Sequence, residues 1–88
     1  MSDQSQMDAL LQALMKDESL AAQGFTAFAT PASGIVVQKG TIFHGLWRPT
    51  ADGLKWTPAA GGQKSALVAT PEQALRHTLV ALGIVGAG

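Results

Sequence analysis

The sequence predicts an α+β domain of order α-β-β-β-β-α: an N-terminal helix, a four-stranded antiparallel meander and a C-terminal helix. Three observations predict it. Met7, Leu10, Leu11 and Leu14 recur at helical spacing near the start of the chain. Residues 35–57 read as short β-branched and aromatic runs separated by the turn signals Lys39-Gly40 and Thr50-Ala51-Asp52-Gly53. Thr70-Pro71-Glu72-Gln73 then opens a second helix.

The first helix has one apolar face, with Ser2 or Ser5 available as its cap and Asp3 and Asp8 near its positive end. It runs to about Ala22, before Gly24, unless Asp17 breaks it and caps a second short turn. Phe25 to Phe28 is a short strand or an irregular link, and Thr30-Pro31-Ala32-Ser33-Gly34 is loop chemistry.

Ile35-Val36-Val37-Gln38 and Thr41 to Arg48 form the first hairpin around Lys39-Gly40. That turn places Val37 opposite Ile42, Val36 opposite Phe43 and Ile35 opposite His44. The second hairpin, Gly45 to Pro58, carries both tryptophans of the chain. A loop at Thr50–Gly53 sets Trp47 opposite Trp56 and Arg48 opposite Lys55, a register favoured because paired indoles stabilise a sheet by roughly 0.2–1 kcal/mol. Pro58 to Gly62 is a connection and Ser65 to Ala69 a fourth short strand. In the last helix Thr70 is the N-cap, Pro71 sits at N1 and Gln73 completes a capping box. Leu75, Thr78, Leu79 and Leu82 form its buried stripe, and Gly83 ends it.

With 88 residues, the chain (1–88) fits one domain with one small core. Hydrophobic residues make up 47% and charged residues only 14%, with zero formal net charge. Such a chain is too apolar for disorder and poor in charge for a solvated monomer, which favours an oligomer or a bound partner. Charge is nonetheless segregated: residues 1–23 are acidic and residues 24–70 basic. There is no cysteine, and so no thiolate chemistry. The opening residues have no basic n-region of a signal peptide, and no apolar run is long enough to span a bilayer. The expected setting is cytoplasmic and bacterial in type.

The period of two assigns Val36, Phe43, Gly45, Trp47, Leu54 and Trp56 to one sheet face, a core face. The other receives Ile35, Val37, Ile42, His44, Leu46, Arg48, Lys55 and Thr57. This second face is apolar too, becoming basic only near the second turn. Either the two helices split across the sheet, or both cover the tryptophan face and the second face binds something.

The expected function is that of a small non-enzymatic protein–protein interaction domain, self-associating as a homodimer through Ile35, Val37, Ile42, His44 and Leu46, with Arg48 and Lys55 at the rim. A nucleic-acid-binding module using the mildly basic sheet is the first alternative; zero net charge weighs against it. A ligand-binding or enzymatic domain with a site near His44 is the second. No catalytic residue, cofactor site or metal site is assigned. The two histidines (His44, His77) have no cysteine or carboxylate cluster beside them. Ser33 and Ser65 have no local base, and Gly61-Gly62-Gln63-Lys64-Ser65 lacks the spacing of a phosphate loop.

Overall fold

A computed structural model describes residues 3–31, 33–59 and 64–84. Asp17 interrupts the first helical stretch. Its backbone is extended (φ −71°, ψ 121°), and its carboxylate accepts a hydrogen bond from the Leu20 N–H at 3.0 Å. The stretch therefore divides into α1 (Asp3–Lys16) and α2 (Glu18–Ala22), as a capping aspartate dictates. Ser5 lies inside α1, and Ser2 is outside the described residues. Met7, Leu10 and Leu14 of α1 and Leu20 of α2 are buried.

Five strands follow: β1 (Phe25–Ala29), β2 (Ile35–Lys39), β3 (Ile42–Thr50), β4 (Gly53–Pro58) and β5 (Ala66–Val68). They form one antiparallel sheet in chain order. The fold is α+β as predicted, and the sheet has one strand more than the four expected. The segment after Gly24 is that strand: β1 pairs along its length with β2, Ala27 opposite Val37.

The second hairpin has the predicted register, with Trp47 opposite Trp56, Arg48 opposite Lys55 and Pro49 opposite Leu54. The Thr50 hydroxyl donates to the Gly53 carbonyl at 3.0 Å and accepts from the Asp52 N–H at 3.2 Å. The first hairpin differs from the prediction. Lys39 pairs with Ile42 and Gln38 with Phe43; then one extra residue, His44, bulges out, so that Val37 meets Gly45, Val36 meets Leu46 and Ile35 meets Trp47. An extra residue reverses which face each side chain takes relative to an unbroken strand. Ile35 and Val37 therefore join the tryptophans, while Val36 and Phe43 face the other way.

The last helix, α3 (Pro71–Ala81), begins as read from sequence. The Thr70 side chain accepts from the Gln73 N–H at 3.2 Å. The Gln73 carboxamide oxygen reaches back to the Ala69 N–H at 2.9 Å, one residue before the cap that a standard capping box would serve. At the other end Ile84 N–H donates to Leu79 O and Gly83 N–H to Val80 O, with Gly83 at φ 76°. That is a Schellman motif, and its left-handed position suits glycine. Ala74 and Thr78 are the fully buried residues of α3, and the leucines expected in its buried stripe are half-buried. The connection at 60–63 lies outside the described residues.

All the helices pack on one side of the sheet. Their buried residues share a single cluster with Ile35, Val37, Trp47, Leu54 and Trp56. Trp47 and Trp56 are 0% and 1% exposed, their rings 5.3 Å apart and tilted by 48°. The Trp47 indole N–H donates to the Thr78 hydroxyl at 2.8 Å, which donates onward to the Ala74 carbonyl at 2.8 Å. His77 meets both indoles edge-on. Among the described residues no buried side-chain polar atom lacks a partner, and no helix is long and apolar enough to cross a membrane.

Gly45 is required by this core, since a Cβ there would collide with the Trp56 ring. Gly45→Ala should lower stability by about 1–3 kcal/mol, as overpacking does, with urea denaturation as the measurement. Thr78→Val should cost about 1–3 kcal/mol by leaving the buried Trp47 N–H unsatisfied. Thr78→Ser retains the hydroxyl and should lose less in the same experiment.

Candidate functional site

With the helices on the tryptophan side, the other sheet face is not covered by any described element. Cross-strand pairing arranges its side chains in rows. The central row runs Phe28, Val36, Leu46, Thr57 from β1 to β4. Toward the first hairpin turn lie Thr26, Gln38 and Phe43. Toward the second lie Arg48, Lys55 and Leu67, on β3, β4 and β5. Phe28, Phe43 and Leu67 are 45%, 46% and 54% exposed. Val36 and Leu46 are half-buried between them. A sheet with one wet face ordinarily alternates apolar and polar residues. Here the outward face carries a contiguous apolar centre, which marks a contact surface more often than a solvated one.

Arg48 and Lys55 face each other across β3 and β4 at one end of this surface. Neither has an ion-pair partner among the described residues. Like charges in directly opposed positions repel, so this end favours an incoming electron-rich group, whether carboxylate, phosphate or aromatic face. Shallow depressions adjoin the pair: one lined by Arg48, Pro49, Thr50, Lys55 and Thr57, the other by Thr50, Asp52, Lys55, Ser65, Ala66 and Leu67.

The residues expected to form one interaction surface are divided among four places. Ile35 and Val37 stand in the core, each 1% exposed, because the bulge reverses their face relative to the expected register. Ile42 is 63% exposed at the tip of the first hairpin, opposite Lys39. His44, the bulged residue, is half-buried with its ring edge-on to Phe25 at 5.0 Å; Lys39 Nζ lies 5.5 Å from the centre of the same phenyl ring. Only Leu46, Arg48 and Lys55 lie together on the open face. Phe28, Val36, Phe43 and Leu67 complete that face and were missed in the sequence reading. An unbroken period of two puts Phe43 and Val36 on the core side, and the bulge reverses them. Phe28 had a usable signal, since Phe25 and Phe28 have opposite parity and one of them must face outward if the segment is a strand.

The tryptophans, the aromatic residues most suited to a stacking platform, are core residues engaged by α3. His44 and His77 sit in separate aromatic contacts. Among the described residues no three histidines or carboxylates are grouped as metal ligands. Residues 61–63 of the glycine-rich run before Lys64-Ser65 lie outside the described residues. No protein-family model, curated protein or solved structure matches the chain.

Proposed function

We propose that this chain is a small non-enzymatic interaction domain that binds protein through the open face of its sheet, with a second copy of itself as the occupant. One observation carries the reading: Phe28, Phe43 and Leu67 are about half-exposed around Val36 and Leu46, on the side of the sheet away from every described helix. Composition supports it. A chain with 14% charged residues and zero formal net charge has little electrostatic repulsion to keep its copies apart. Closed two-fold dimers are the commonest outcome of such self-association. Five strands about 4.8 Å apart and five residues deep present a face of roughly 400 Å². That is small against the ~800 Å² per partner of a standard interface, so the expected dimer is reversible and concentration-dependent.

A second reading rests on the same face. Two exposed phenyl rings on the same open antiparallel face as Arg48 and Lys55 match the way some single-strand nucleic-acid modules stack bases and hold phosphates. Among the described residues the face has only these two cations, and the chain as a whole is neutral, which leaves little counterion release to drive binding.

Sedimentation equilibrium across a wide concentration range, at low and high salt, separates the readings. The protein reading predicts a dimer whose affinity changes little with salt, because apolar contact dominates it. Phe28→Lys should weaken that dimer at least about tenfold, a loss typical of a central apolar contact, with circular dichroism unchanged. A monomer at every concentration, together with single-strand binding that falls steeply with salt, would instead establish the nucleic-acid reading.

A further inference from the structure

We infer that the second copy docks end-for-end, with the two-fold axis lying across the strands along the Phe28–Val36–Leu46–Thr57 row, so that Arg48 of each chain caps the exposed Phe43 of the other. This rests on the self-association reading and specifies its geometry.

The bulge makes the face symmetric about Leu46. Val36 pairs with Leu46 and Gln38 with Phe43, so Phe43 is two ladder positions from Leu46 despite being three residues away. Arg48 is two positions away on the other side. The two ends of β3 therefore stand equally far from the central row, about 13 Å from each other. One end has an aromatic ring with nearly half its surface exposed; the other has a guanidinium with no ion-pair partner among the described residues.

Two sheets packing face to face with their strands roughly aligned leave two simple choices of two-fold axis. An axis parallel to the strands brings like ends together. Arg48 and Lys55 of both chains would then meet, and no described residue in the three rows is a carboxylate that could separate them. An axis across the strands exchanges the ends. It packs Val36 and Leu46 against their own copies in a central apolar seam. It also places each Arg48 over the partner's β3 at the level of Phe43, where a guanidinium over a ring face is attractive. The same operation carries each Lys55 to the opposite end from the partner's Arg48 and Lys55. Charge thus favours the second arrangement with the residues already on the face, and a second copy supplies the aromatic group that the cationic end lacks.

A double-mutant cycle tests the arrangement. Dissociation constants would be measured by sedimentation equilibrium for the wild-type chain, Arg48→Gln, Phe43→Leu and the double variant. Both side chains are exposed, so circular dichroism and thermal melting should show all four folded alike. Residues about 13 Å apart in one chain ordinarily act independently. The end-for-end dimer predicts otherwise: once one partner is gone, removing the other should cost little. With two symmetric contacts of the usual cation–π strength, the double variant should bind about 5–30-fold more tightly than the product of the single effects requires. Single effects that multiply within about twofold, in chains that still dimerise, would overturn the geometry and leave the interaction face standing. A wild-type chain that stays monomeric at all concentrations would overturn both.

Discussion

The contact on which the rest of the structure depends is the clamp between the second hairpin and the last helix. Two indoles opposed across β3 and β4 are too large to be buried by a lone hairpin, so a helix must lie over them. Each tryptophan buries roughly 150–250 Å², which at ~25 cal/mol/Å² is about 4–6 kcal/mol as an upper estimate. That gain requires the Trp47 N–H to be paired, and Thr78 pairs it while returning its own proton to the Ala74 carbonyl. The hydroxyl thereby sets where α3 sits along the strands. Ala74, fully buried one turn earlier, permits close approach, and Gly45 leaves room for the second indole.

With α3 held over the tryptophans, α1 and α2 complete the same side. Met7, Leu10, Leu14 and Leu20 fill the space beside α3 over Ile35 and Val37. The chain has no further described helix to place on the opposite face. One-sided packing is thus a consequence of where the large side chains point, and the open face is its by-product. What makes that face more than a solvated surface is its composition, with Phe28, Val36, Leu46, Phe43 and Leu67 where a wet sheet would carry polar residues.

The bulge at His44 connects the core to the candidate site. Without it, the residues of β3 before the bulge would keep the parity of Trp47, and Phe43 would point inward. With it, Phe43 comes out on the same face as Leu46 and Arg48, and His44 turns to Phe25. One inserted residue thus settles an aromatic ring at one end of the open face and balances it against the cationic pair at the other. The functional reading follows from that placement more than from any single reactive group.

Features governed by neighbours in sequence were legible beforehand. They include the apolar stripe of the first helix, the Thr70 cap with Pro71, the stop at Gly83, and the Trp47–Trp56 register closed by a short polar turn. Each depends on propensity, capping or turn chemistry within a few residues. The sequence also raised the two possible placements of the helices and left them open, because amphipathicity says that a face is buried without saying against what. Only the tertiary structure decided which sheet face that was and whether Phe25–Ala29 would find a strand to pair with. It alone decided, too, that Ile35 and Val37 belong inside. Those outcomes rest on pairing and burial between distant segments, where one extra residue in a strand reverses the direction of every side chain beyond it.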